Sequence, residues 1–74
     1  MSEEFLGVLL MGRGSSRKVE FYRQNGECEP RITYREIMDH TGKLGRTGEI
    51  STDIMEEEYG SFDNYRKAVA DSLR

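Results

Sequence analysis

The chain opens on an apolar run, Phe5-Leu6-Gly7-Val8-Leu9-Leu10-Met11, closed by Gly12-Arg13-Gly14-Ser15-Ser16. A run this short that ends in glycine and serine fits a buried strand followed by a turn better than a helix. From Arg17 to Gln24 the pattern alternates: apolar Val19 and Phe21 are interleaved with charged Lys18 and Glu20. That is the period of a half-buried strand. Asn25-Gly26 then supplies the pair most suited to a tight hairpin turn, because both residues tolerate positive φ. Glu27 to Ile32 can pair back as a third strand, with Pro30 confining it to an edge or a strand end because it lacks an N–H.

At Ile32 the period changes. Thr33 followed by Glu36 has the spacing of a capping box, and Ile32 with Ile37 that of a hydrophobic staple, so a first helix is expected from Tyr34 to about His40 or Thr41, closed by Gly42. Lys43-Leu44-Gly45-Arg46-Thr47-Gly48 reads as a glycine-rich loop. A second helix follows, capped by Ser51 or Thr52, favoured by Asp53 and Glu56 near its positive end, and stopped at Gly60. Ser61 caps a third, whose Phe62, Tyr65, Val69 and Leu73 form one apolar stripe with Ala68 beside them. The expected fold is α+β: an N-terminal β-hairpin or three-strand meander followed by three short helices. All of it fits one small domain, 1–74, with a β-rich part over 1–32 and a helical part over 33–74.

Composition narrows the class. With 74 residues, 35% hydrophobic and 34% charged, the chain can fold around one core and has no surplus for a second. Its single cysteine, Cys28, cannot form an internal disulfide, which points to a reducing, cytoplasmic setting. The apolar run is far too short to span a bilayer, and Ser2, Glu3 and Glu4 before it are unlike a basic leader, so neither a membrane segment nor a signal peptide is expected. The net charge of −3 argues against general affinity for phosphate backbones, yet the charges are unevenly spread: Glu56, Glu57 and Glu58 lie together, while Arg13, Arg17, Lys18 and Arg23 crowd the first third.

Two helices meeting at Tyr59-Gly60-Ser61, with another helix before them, can form a trihelical unit whose last helix enters a major groove. The same corner also occurs in proteins that touch no DNA. The segment from Ile50 to Val69 resembles the homing-endonuclease-associated repeat in its serine-capped helix, its aromatic-Gly-Ser-aromatic corner Tyr59-Gly60-Ser61-Phe62, and the small residue Ala68 in the helix that follows. The resemblance covers the last third of the chain, reaching Thr33 if the preceding helix is included. It implies a helix-turn-helix DNA-binding module of the kind carried by phage and mobile-element proteins. The chain departs from the family in closing on Asp71-Ser72-Leu73-Arg74 without a glycine, in its acidic second helix and in its long preceding loop.

On a groove-reading helix, Asn64, Lys67 and Arg74 would point outward with Arg66 beside them, asparagine matching adenine and the cations matching guanine or phosphate. Lys43, Arg46, Arg13, Arg17 and Lys18 would supply backbone contacts. Arg13-Gly14-Ser15-Ser16-Arg17-Lys18 lacks the P-loop pattern and reads better as an exposed hairpin loop than as a phosphate contact. No cofactor or metal is expected, since His40 and Cys28 have no second histidine or cysteine to complete a tetrahedral set. No acid, base and nucleophile stand together, so the chain reads as non-enzymatic.

Two functions follow. One is a small DNA-binding accessory or regulatory protein acting on duplex DNA. The other is a protein-interaction module, such as a small inhibitor or antitoxin-like partner, that docks a larger protein through its hairpin edge or its acidic helix. A homodimer built through an exposed edge strand is compatible with either. What separates them is whether the cations of the last helix share a face, or are interrupted by Asp63, Asp71 and Glu56 to Glu58.

Overall fold

The structure, a computed structural model, describes residues 2–12, 14, 17–26, 29–38 and 42–73. Four strands, β1 (Ser2–Met11), β2 (Arg17–Asn25), β3 (Arg31–Met38) and β4 (Lys43–Ser51), are followed by helices α1 (Thr52–Tyr59) and α2 (Phe62–Leu73). The strands form one antiparallel meander in the order β1-β2-β3-β4, so each pairs only with its sequence neighbours. Both helices lie on one face. No helix among the described residues is long and apolar enough to cross a membrane.

The expected hairpin or three-strand meander with three helices is therefore corrected to four strands and two helices. The segment read as a first helix from Tyr34 is the body of β3. The segment read as a loop, Lys43 to Gly48, is most of β4. The third strand is not Glu27 to Ile32 but Arg31–Met38, and residues 26–30 link β2 to β3 in place of a two-residue turn at Asn25-Gly26. Only the first two strands and the last two helices fall where the pattern places them.

The core sits between the sheet and the helices. Val19, Phe21 and Ile32 from the strands and Met55, Tyr65, Val69 and Leu73 from the helices are buried together with Met11. Phe21, with no exposed surface, is the hub: its ring stands edge-on to Phe62 at 5.4 Å and to Tyr65 at 6.5 Å. The helix caps follow the sequence. Ser51 Oγ accepts from the Ile54 amide at the start of α1, Ser61 Oγ accepts from the Asn64 amide at the start of α2, and Gly60, at φ +85°, donates its amide to the Glu56 carbonyl. Satisfying orphaned N–H groups in this way stabilises each helix by about 1 kcal/mol. The Thr52 amide donates to the Pro30 carbonyl at 3.1 Å, which ties the start of α1 to the link between β2 and β3.

The register shift between β3 and β4 and the glycines of β4 trace to the inward side chains of β3. Glu36 is almost fully buried, and in the β3–β4 ladder it stands where the register shifts, so that Gly45 and Arg46 together oppose it. Its carboxylate accepts from Arg17 Nη1 at 3.1 Å and from the Arg46 amide at 3.2 Å. A Cβ on Gly45 would lie 2.5 Å from Glu36 Oε1. Two positions on, Tyr34 lies across Gly48, where a Cβ would meet its ring at 2.5 Å. The edge strand is glycine-rich because its neighbour's large inward side chains occupy the space a Cβ would need.

Candidate functional site

Alternation along the strands sends every second side chain away from the helices. On that far side the register lines the residues up in four rows across the sheet. Glu3, Gln24, Arg31 and Ser51 form the first; Phe5, Tyr22, Thr33 and Glu49 the second; Val8, Glu20, Arg35 and Thr47 the third; Leu10, Lys18, Ile37 and Leu44 the fourth. A register shift between Phe5 and Gly7 keeps both halves of β1 in step, turning Leu6 toward the core while Phe5 and Val8 both face outward. No element of the described chain covers this face.

The composition of the face is unusual for a solvated surface. Phe5, Val8, Leu10 and Leu44 are 43–60% exposed, and they are four of the five exposed large hydrophobic residues among the described positions; the fifth, Ile54, is on α1. Phe5 packs on Tyr22 with ring centroids 5.5 Å apart, and the Arg35 guanidinium covers the same tyrosine at 4.7 Å. The three cations and three carboxylates of the face are matched internally: Arg31 with Glu49 at 3.1 Å, Arg35 with Glu3 at 3.9 Å, and Lys18 with Glu20 at 3.9 Å. Tyr22 donates to Glu20 at 3.1 Å. Desolvation, and then that hydrogen bond, hold its phenol above the usual range and therefore neutral. The face mixes exposed apolar and aromatic side chains with matched ion pairs and carries no excess charge.

The helical layer differs. Among residues 52–73, Asp53, Glu56, Glu57, Glu58, Asp63 and Asp71 face only two cations, Arg66 and Lys67. A shallow cleft of about 270 Å³ opens between β4 and the helices, with Tyr34, Tyr59, Tyr65, Ile50 and Val69 in its walls. Burial and the neighbouring phenols of Tyr34 and Tyr59 push the Tyr65 hydroxyl up to about 12.

Seven of the nine residues expected to contact DNA are described, and they do not share one surface. Asn64 uses its amide to donate to the Tyr59 carbonyl at 2.8 Å, fastening the corner between the helices. Arg66 pairs with Asp63 at 3.0 Å. Lys67 is exposed on α2, on a face that also carries Asp63 and Asp71 four residues to either side. Arg46 donates to the Ser72 carbonyl at the end of α2, Arg17 is bound to buried Glu36, and Lys18 is on the opposite side of the sheet. Lys43, at the start of β4, has its own partner. Arg13 and Arg74 lie outside the described residues, as do Cys28, Asp39 and His40. The open face itself was not singled out in the sequence, although the Lys18-Val19-Glu20-Phe21-Tyr22 alternation and the doubly apolar β1 were its signal.

Comparison of the chain with models of known protein families, with curated proteins and with solved structures found no match.

Proposed function

We propose that the chain is a non-enzymatic protein-interaction module that works through the open face of its sheet. The observation that carries this reading is the gathering of Phe5, Val8, Leu10 and Leu44 on one uncovered face whose ion pairs are already matched within it. Exposed apolar side chains on an uncovered face, three along β1 and one on β4, are what a docking site needs, and matched charges between them fit a partner that is itself charge-balanced. A strongly basic or acidic ligand gains nothing here. Among the described cations expected to contact duplex DNA, Arg66 and Arg17 are ion-paired, Arg46 donates to a backbone carbonyl and Lys67 is flanked by Asp63 and Asp71, which weighs against a groove-reading role for α2.

The test places a photocrosslinking phenylalanine analogue at Val8 or at Glu57 in cells that produce the chain, with adducts identified by mass spectrometry. The expected result is polypeptide adducts from Val8 that are suppressed by Leu10→Lys, with none from Glu57. Adducts from Glu57 alone, or duplex affinity in a salt series that is lost in Lys67→Glu, would overturn the reading.

A further inference from the structure

We infer that the occupant of the open face is a second copy of the same chain, packed sheet to sheet about a twofold axis that runs parallel to the strands between β2 and β3. This rests on the docking reading above and names its partner. A dyad in that direction lays each row of the face on the same row of the other copy, with β1 over the second copy's β4 and β2 over its β3. The fourth row then sets Leu10 against the second copy's Leu44, apolar on apolar. The third row sets Glu20 against the second copy's Arg35, and by symmetry Arg35 against its Glu20. In the second row Tyr22 meets Thr33. The same axis sets Phe5 against Glu49, whereas a dyad across the strands sets Val8 against Phe5 but Leu10 against Glu3 and Glu20 against Tyr22, so the strand-parallel axis is the one that brings opposite charges together.

Charge and area both favour this partner. A face with three cations and three carboxylates is neutral, so two copies approach through it without repulsion even though the whole chain carries −3. Four strands at about 4.8 Å and eight residues at about 3.3 Å give a face of roughly 500 Å² per copy, about 1,000 Å² for the pair. That is near the lower bound of roughly 1,000 Å² for a specific interface, consistent with micromolar association.

The test is sedimentation equilibrium of the purified chain with two charge reversals, Glu20→Arg and Arg35→Glu. Each variant alone sets like charges against each other twice across the dyad, so its self-association should weaken at least about tenfold. An equimolar mixture of the two variants re-forms both opposite-charge pairs, and dimer formation should return to within about threefold of the unaltered chain. Within-chain effects of each change are the same alone and in the mixture, so only the contact between copies can produce the rescue. Leu44→Lys, at an exposed position on the edge strand, provides an independent variant that should also shift the chain to monomer.

A dimer that survives both reversals, or a mixture no more associated than its components, overturns the inference. A monomeric unaltered chain overturns it too. In that case Val8 adducts with a different polypeptide would leave the docking reading standing, and their absence would remove both.

Discussion

Gly48→Ala is the change for which a sequence-level rule and the structure give opposite signs. Replacing glycine by alanine at a tolerant position stabilises a protein by about 0.4–1 kcal/mol, because the unfolded chain loses freedom. In β4, however, the new Cβ would be 2.5 Å from Tyr34 Cε2, 2.7 Å from Cζ and 2.8 Å from Oη. Relieving this needs a movement of about 1 Å by a ring that packs beside Phe21, with centroids 6.2 Å apart. Overpacking of that kind costs about 1–3 kcal/mol, so the net effect is a loss of about 1–2 kcal/mol. For 74 residues the unfolding entropy is roughly 155 cal/mol/K, which converts the loss to a fall in Tm of about 6–13 °C. Circular dichroism melts of Gly48→Ala, Tyr34→Leu and the double variant measure it. With the ring gone, the alanine should be neutral or stabilising, giving a coupling of at least about 1 kcal/mol. An alanine that stabilises the otherwise unaltered chain, or acts equally in both backgrounds, would refute the account of why β4 is glycine-rich.

Two further outcomes follow from the core. Glu36→Ala leaves the partly exposed Arg17 guanidinium and the Arg46 amide without their acceptor and should cost about 3 kcal/mol in urea denaturation, whereas Arg17→Met with Glu36→Leu should cost less than Glu36→Ala alone. Tyr65, pushed up to about 12 from an ordinary 10, holds its proton more tightly folded than unfolded. The stability tied to that proton is full below pH 10 and is lost as the pH rises from 10 to 12. Stability measured across this window should fall more steeply in the unaltered chain than in Tyr65→Phe; equal slopes would contradict the assignment.

Where the sequence was legible, local signals and tertiary packing agreed. Val19 and Phe21 alternate and are buried, Ser51 and Ser61 cap, and Tyr65, Val69 and Leu73 line the inward side of α2. Where it misled, one pairing was responsible. The inward side of β3 is Ile32, Tyr34, Glu36 and Met38, a period-two pattern hidden because one of its buried members is a glutamate. The same Thr33 and Glu36 also have the spacing of a capping box, which favoured a helix. Its partner strand looked like a loop because Gly45 and Gly48 leave room for Glu36 and Tyr34. Reading either segment correctly requires the other, and that is knowledge of pairing, absent from any single window of sequence. The open face was obscured for a related reason: Phe5 and Val8 point the same way only through the register shift in β1. The expected DNA-reading unit needed a first helix from Tyr34, and that segment is a strand, so the trihelical frame meant to present the contacts does not exist.

The order of assembly is written into the meander. Every strand meets its partner across a short connection, so the sheet can zip up in sequence with little loop-closure entropy to overcome. Phe21, by contrast, meets Phe62 and Tyr65 more than forty positions later in the chain. A growing polypeptide therefore holds a paired sheet with both faces wet until α2 emerges, and the burial that makes the fold cooperative is deferred until Phe62–Leu73 has been synthesised.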